Sequence, residues 1–380
     1  MTQPRVMISC GEASGDIYAA GLVAALRHLE PDIDIFGFGG PRMAAAGARL
    51  SGEFREFSVT GIVEALRVLP RSFRMLRHLR SEAARLRPDV FVAIDFPDFN
   101  FRLLPAMAGL GIPVVYYVSP QLWAWRESRI ETIKKYVRKM LVIFPFEADM
   151  YKKAGVPVEF VGHPLVDLAV PTRDRFDVLA AAGLDPHRPV VALLPGSRRN
   201  EVSQILPTLV DGAALVASRV PGVQFLVARA PSLDDELFAP IERLRQRGVP
   251  VAILTEAADD VLAASDVVIT ASGTATVQTA LHGKPMVIVY RLAPLTYNIA
   301  RRFVRVQLYG MVNLVAGKPV VPELIQDRFT AEAVAAEVTP LLTDAARSGE
   351  MRQSLATVRA RLGAPGASAR AAAAVLGTTI

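Results

Sequence analysis

Short apolar runs alternate with amphipathic stretches along the whole chain, an alternation that predicts an α/β protein. In the first half, 6–10, 33–38, 90–94, 114–118 and 140–144 are apolar and of strand length. Runs with no polar face predict strands buried on both sides of a parallel sheet. The spans 18–29 and 72–86 predict helices. After Gly162 the pattern restarts, with strands at 190–194, 224–227, 251–254, 267–270 and 286–290. Helices are expected between them, near 202–218, 234–247, 257–264 and 274–282. From Thr330 onward the chain is Ala-rich and helical in pattern. Two successive sets of elements predict two Rossmann-like domains, 1–165 and 166–345, followed by a helical tail, 346–380. The linker is expected from Gly162-His163-Pro164 to Pro171. Ligands in such sheets bind beyond the carboxyl ends of the strands, so a cleft between the two domains is the expected site.

Composition narrows the class. The chain has 380 residues, 51% hydrophobic and 21% charged, which is globular rather than disordered. Its single cysteine, Cys10, permits no internal disulfide and no cysteine-rich metal site, in keeping with a reducing compartment. No apolar run reaches the ~18–20 residues that span a bilayer, and the N-terminus lacks a signal-peptide pattern, so a soluble or peripheral protein is expected. The net charge is +6, carried mostly by arginine. That balance suits nucleic acid, an anionic membrane or a phosphorylated substrate, although Ala- and Arg-rich composition alone would also produce it. No nucleic-acid-binding motif accompanies it, and no nucleic-acid partner is expected.

Four loops following predicted strands could carry chemistry. After the run 90–94 come Asp95, Pro97 and Asp98, in FVAIDFPDFNF. A carboxylate at the mouth of a buried strand is suited to proton transfer, with Pro97 ending the strand and Asp98 in the following loop. After Cys10 comes GEASGD, whose glycines allow a tight turn and whose Ser14 or Asp16 could cap the next helix. Glu12 could also meet sugar hydroxyls. After Leu194 comes PGSRRNEV, where Gly196 and Ser197 expose N–H groups at a helix start and Arg198 and Arg199 add charge, an arrangement suited to phosphate. Asn200 as an ordinary helix cap is the plainer reading. After Thr270 comes ASGTATVQ, with Ser272, Gly273 and Thr274 at another helix start and Gln278 one turn further on. Together the last two loops suggest a half that grips a diphosphate and its sugar. Neither GKS/T nor a complete dinucleotide fingerprint is present; GFGGPRM at 37–43 is a turn.

The stretch 66–87 is basic and amphipathic, with seven arginines and Glu82. Leu66, Leu69, Phe73 and Leu76 make one stripe; Arg67, Arg71, Arg74 and His78 make another, and Pro70 is expected to start a new helix. This is either a surface helix with a solvated face or an interfacial helix that leans on anionic lipid. Its membrane-contact candidates are Val68, Leu69, Arg71, Phe73 and Leu76. His163 suits a loop-capping role better than catalysis. With no HExxH, no CxxC and no metal-spaced carboxylates, no metal is expected.

The motifs GEASGD, GGPRM, GIVEAL, IDFPDFN, YVSPQLWAWR, FPFE, VGHPLVD, LLPGSR, ASGTAT and MVNLVAG, in this order, resemble the lipid-A-disaccharide synthase family, over 9 to about 326. IDFPDFN and WAWR are the most distinctive. The resemblance implies a GT-B fold, two Rossmann-like domains facing a cleft, with the tail packing back on the N-terminal domain or a partner subunit. It implies an inverting transfer from UDP-2,3-diacylglucosamine to 2,3-diacylglucosamine-1-phosphate (lipid X), giving a β(1→6) disaccharide and UDP. It makes Asp95 the acid/base group, with Asp98 a turn-former or supporting group, and adds Ser14 and Asn313 to the cleft, with Glu12 and Arg291 as further members. Gln278 departs from the glutamate that many GT-B enzymes carry there, which leaves its ribose contact in doubt. The UDP-sugar is a substrate, and no cofactor is implied. The resemblance also implies a peripheral protein on the cytoplasmic face of the inner membrane, touching its lipids, and a family able to form homodimers. The rival readings are another GT-B enzyme, such as a UDP-GlcNAc epimerase, and a non-catalytic binding protein.

Overall fold

The computed structural model describes residues 3–54, 62–123, 127–292 and 308–378; for 62–68 and 127 it describes the backbone alone. The chain divides into two units, Met1–Asp167 with Leu362–Ile380, and Leu168–Arg361.

The strands of the first unit are β1 (Arg5–Cys10), β2 (Asp34–Gly39), β3 (Arg49–Glu53), β4 (Val90–Ile94), β5 (Val114–Tyr117), β6 (Lys139–Val142) and β7 (Val158–Phe160). They form one sheet in the order β3-β2-β1-β4-β5-β6-β7, with every neighbouring pair parallel. Its helices are α1 (Ala13–Leu29), α2 (Pro41–Ala45), α3 (Ile62–Leu86), α4 (Pro97–Gly109), α5 (Ile130–Tyr136), α6 (Pro145–Lys153) and α7 (Leu165–Leu168), the last of which reaches the unit boundary. The central strands are apolar throughout because helices cover both faces. Phe36, Phe38, Phe91, Tyr116 and Met107 are fully buried in one core, each large apolar side chain contributing about 1.5–3 kcal/mol. The apolar-run criterion missed β3 and β7, which are edge strands of half-buried, mixed residues.

Two prolines read as breaks lie in helices. Pro97 is the first residue of α4, where its missing N–H costs nothing, so Asp98 stands in a first helical turn and not in a loop. Pro70 sits inside α3, which runs unbroken through it and does not restart there.

The second unit repeats the plan. Its strands β8 (Val190–Leu194), β9 (Gln224–Arg229), β10 (Val251–Thr255), β11 (Val267–Ala271), β12 (Met286–Tyr290) and β13 (Glu323–Ile325) follow the order β10-β9-β8-β11-β12-β13, all parallel. Helices α8 (Arg175–Ala181), α9 (Arg199–Arg219), α10 (Glu242–Gln246), α11 (Ala258–Ala264) and α12 (Thr274–Leu281) connect them.

The tail is not one piece. The helix Ala345–Arg361 belongs to the second unit, where it buries Met351, Leu355 and Val358 and where Arg359 Nη1 donates to Leu281 O at 3.0 Å. The helix Ala367–Leu376 belongs to the first unit and packs on α1. Asp167 accepts from the N–H groups of Gly366 and Ala367, and Arg370 Nε donates to Val161 O at 2.8 Å. The chain therefore divides at 167/168 and 361/362, beside the expected 165/166 but well past 345/346.

Candidate active site

In each sheet the strand order reverses once, between β1 and β4 and between β8 and β11. The loops leaving two such strands turn to opposite faces, and the crevice between them is where ligands bind in this architecture. The four loops singled out by sequence follow β1, β4, β8 and β11. Cys10 pairs with Ile94, which sets Gly11 beside Asp95; Leu194 pairs with Thr270, which sets the PGSR and ASGT loops side by side.

At the first switch point the backbone is strained. Asp95 and Phe96 follow β4 with φ of 43° and 47°, a left-handed conformation that non-glycine residues rarely adopt. Asn100, fully buried on α4, holds this turn: its Nδ2 donates to Asp95 O at 2.8 Å, and to Ser9 O and Ile94 O at 3.2 and 3.3 Å. Its Oδ1 accepts from Ser9 Oγ at 2.7 Å, and Tyr116 OH donates to Asp95 O at 2.7 Å. The backbone of Asp95, a half-buried residue, is thereby fixed at the strand mouth. Phe96 lies over Gly11, where a Cβ would come within 2.1 Å of its ring. Asp98 is exposed and ion-paired to Arg129 at 2.6 Å.

Ser14 is half-buried in the first turn of α1, and Glu12 holds the N-cap position without a side-chain cap bond. Asp16 does not cap α1. Its carboxylate accepts from the N–H groups of Gly40, Arg42 and Met43, each at 3.0 Å, and so caps the start of α2. This is why GFGGPRM needs small residues: a Cβ at Gly40 would lie 2.6 Å from that carboxylate.

At the second switch point, Arg198 occupies the N-cap position of α9, so Asn200 is inside the first turn and does not cap. Glu201, which the sequence reading passed over, fills the cradle. Its Oε2 accepts from Ser197 N at 3.2 Å and its Oε1 from Arg198 Nη1 at 2.9 Å. A Cβ at Gly196 would stand 2.8 Å from the same carboxylate. The donors proposed for phosphate thus already hold an anion. Gly273, with φ of 152°, starts α12; Thr274 is its first residue, and Ser272 Oγ donates to Tyr309 O at 3.2 Å. Gln278, half-buried on α12, donates to Asp259 Oδ1 at 3.5 Å.

Two candidates are taken up by the fold itself. Asn313 is fully buried; its Nδ2 donates to Val321 O and Glu323 Oε1, and its Oδ1 accepts from Val320 N and Val321 N. Every donor and acceptor is used to pin a turn, so Asn313 supports β13 instead of meeting a ligand. Arg291 donates to Thr208 Oγ1 at 2.6 Å and to Phe329 O, and stacks on the Phe329 ring at 4.8 Å. Its charge is engaged inside the second unit.

On α3, Leu69 and Phe73 are 42% and 48% exposed, Arg71 is exposed, and the guanidinium of Arg102 lies 5.0 Å from the Phe73 ring centre. Leu76 faces the other way, half-buried against the core, and leaves the membrane-contact set. Val68 lies outside the residues whose side chains are described. Segment 296–298, which the resemblance also offers to the cleft, and the basic segment 301–305, which suits membrane contact, lie outside the described residues as well. Among the described residues, no helix is long and apolar enough to cross a membrane.

Of two buried titratable groups in the first unit, the sequence marked His163 as a loop cap and passed over Glu147. His163 is 1% exposed and accepts at Nδ1 from Leu165 N; burial lowers its pKa to about 3, so it is neutral. Glu147, in FPFE, is also 1% exposed, and burial raises its pKa to about 8. Only its place two residues past Pro145, after an apolar run, could have marked it.

The family model described as lipid-A-disaccharide synthetase matches residues 6–376. A lipid-A-disaccharide synthase of Geobacter sulfurreducens is 45% identical over 99% of this chain and 97% of its own length. One from Myxococcus xanthus is 44% identical over 98% and 97%. Among solved structures, a UDP-GlcNAc 2-epimerase of Neisseria meningitidis bound to UDP-GlcNAc superposes with a TM-score of 0.68 over 98% of this chain and all of its own, at 12% identity. A UDP-glucosyltransferase of Polygonum tinctorium does so with a TM-score of 0.65 at 15% identity, over 99% and 98%. Likeness at these identities is a likeness of fold.

Proposed function

From the premise that this chain belongs to the lipid-A-disaccharide synthase family, enzymes of lipid A disaccharide synthesis, we propose that it is the inverting transferase joining UDP-2,3-diacylglucosamine to lipid X. The 6-hydroxyl of lipid X attacks C1 of the donor sugar from the side opposite UDP. The C1–O bond to UDP breaks as the new bond forms, so C1 inverts and a β(1→6) linkage results. An alcohol is a weak nucleophile, and Asp95 takes its proton as it attacks. The leaving diphosphate gains charge, which the N–H of Ser197 and the guanidinium of Arg198 meet at the start of α9, with Thr274 beside them at the start of α12. Glu201 must yield its place there. This electrostatic cradle requires no divalent ion.

The observation that carries this reading is the coincidence of both loop pairs with the two switch points, an acid at one and anion donors at the other. Both substrates are acylated, so the enzyme works as a peripheral protein on the cytoplasmic face of the inner membrane, with Leu69, Phe73 and Arg71 of α3 as contacts. The test is a transfer assay with both lipid substrates in anionic vesicles. Asp95→Asn should lower turnover by about 10²–10⁴-fold with UDP affinity within about twofold of the parent. Phe73→Ser should lower turnover on vesicles and not in detergent micelles. Full activity of Asp95→Asn ends the base assignment; equal loss in both media ends the membrane assignment.

A further inference from the structure

We propose that Arg129 seats the acceptor's phosphate, making an anion site in the first unit beside the helix start that follows Asp95. The inference rests on the reading of the acceptor as a sugar whose phosphate lies across the ring from its reacting hydroxyl.

A closed circuit of contacts joins Asp95 to Arg129. Tyr116 OH donates to Asp95 O at 2.7 Å, and the Tyr116 and Phe101 rings lie 6.0 Å apart. The Arg129 guanidinium stands over the Phe101 ring, 4.8 Å from its centre. Arg129 Nη2 then donates to Asp98 Oδ1 at 2.6 Å, and Asp98 follows Asp95 by three residues, no more than about 10 Å of chain. The local fold accounts for this placement. β4 and β5 are paired, Ile94 to Tyr117; α4 leaves the first strand, and the chain beyond the second returns at Arg129, the residue before α5. Asp98 and Phe101 are three apart on α4 and share a face, so both reach the same guanidinium.

An ordinary ion pair explains the bond to Asp98 but not its setting. The Arg129 side chain is 23% exposed, whereas that of Asp98 is 68% exposed. A pair with so exposed an acid adds little to folding and is easily opened. The Phe101 ring holds the guanidinium whether or not the acid is present, and a guanidinium so held offers its N–H fork to a phosphate in parallel bonds. Among the described residues, Asp98 is the one hydrogen-bond acceptor that the Arg129 side chain meets. A phosphate monoester carries about −1.5 to −2 charges near neutral pH, more than a carboxylate, so it takes the place of Asp98 on the arginine. The 6-hydroxyl and the 1-phosphate of the acceptor stand on opposite sides of one sugar ring. A base at Asp95 and a cation at Arg129 therefore fix which hydroxyl faces the base. The site is distinct from the Arg198 cradle, which belongs to the second unit and meets the donor.

The transfer assay in neutral detergent, run with lipid X and with the same diacylglucosamine lacking its phosphate, reads the site. The wild type should prefer lipid X by about 10- to 100-fold in kcat/KM, expressed in KM. In Arg129→Gln, with circular dichroism matching the wild type, that preference should fall below about threefold. Arg129→Lys keeps the charge and loses the flat fork, so its preference should lie between the two; it decides the matter if the glutamine variant does not fold. Isothermal titration should give Arg129→Gln an affinity for UDP within about twofold of the wild type. Asp98→Asn should keep at least the wild-type preference. Equal losses on both acceptors, weakened UDP binding, or a preference lost with Asp98 as fully as with Arg129 would each overturn the proposal. Transfer to both acceptors without preference in the wild type ends this inference alone, whereas transfer to neither ends the transferase reading beneath it.

Discussion

The two sheets share one strand order and place opposite devices at the same point. At the first switch point, left-handed backbone is carried by the non-glycine residues Asp95 and Phe96. Each costs about 1–2 kcal/mol. At the second, the PGSR and ASGT loops put glycine at the special angles, Gly196 with φ of 124° and Gly273 with φ of 152°. The difference follows from what each edge presents. A carboxylate must be carried at a set place, so the first edge strains the Asp95 backbone and locks its carbonyl with Asn100 and Tyr116. At the second edge most anion donors are backbone N–H groups, so it needs bare backbone at Gly196 and Gly273 and adds one guanidinium, that of Arg198.

The lock is the first place to break this contrast. Asn100→Ala leaves Ser9 Oγ without its acceptor, removes a donor from the carbonyls of Ser9, Ile94 and Asp95, the last of which keeps Tyr116 OH, and loosens the strained turn. Loss of one buried residue with several hydrogen bonds is expected to cost about 2–4 kcal/mol in urea denaturation. Transfer should fall by more than the unfolded fraction accounts for, because Asp95 loses its aim, while UDP binding to the folded protein persists. A cost under about 0.5 kcal/mol would mean the strain is held elsewhere.

A matched pair of glycine substitutions sharpens the contrast at smaller effect. Gly11→Ala drives a methyl into the Phe96 ring, which packs against Phe38 and Phe99 at centroid distances of 6.3 and 5.3 Å. A loss of about 1–3 kcal/mol is expected, and Phe96→Leu in the same chain should recover part of it. Gly273→Ala meets no atom within 4 Å, so its cost, about 1 kcal/mol, comes from φ alone. No neighbouring truncation should relieve it. Thermal unfolding of the two singles and the double tells them apart; rescue in both or in neither would erase the distinction.

The same division decides how much could be read from sequence. Central strands were legible because burial on both faces leaves an unbroken apolar run: 90–94, 190–194 and 286–290 match β4, β8 and β12 in full. Edge strands such as β3 and β13 carry no such mark. The four loops were legible because Gly, Pro and charge cluster after those runs. Partnership was not. Asn313 and Arg291 stand in the same kinds of motif as Arg198, yet their polar atoms are taken up by Glu323 and the carbonyls of Val321 and Phe329. Glu147 looked like an ordinary first-turn acid, since a raised pKa depends on what packs around it in three dimensions. Leu76 sits three residues beyond Phe73, yet Leu76 packs against the core and Phe73 is exposed, a difference that helical spacing alone does not carry.

The smallest effect belongs to Glu201, and it probes whether the second edge is as plain as its glycines make it look. The Glu201 carboxylate accepts from the two donors that the proposed diphosphate would need, so it is either a stand-in anion that the ligand displaces or a strut that aims Arg198. The Arg198 side chain is more than half exposed, and an exposed pair of this kind contributes under about 1 kcal/mol to folding. Glu201→Gln should therefore leave the unfolding midpoint nearly unchanged. If the carboxylate is a stand-in, removing its charge frees both donors, and UDP should bind about two- to fivefold tighter at low salt, a gain that shrinks as salt screens the cradle. If it is a strut, binding weakens instead, and the second edge, like the first, depends on a side chain to hold its geometry. Isothermal titration with UDP at two salt concentrations separates the outcomes by sign.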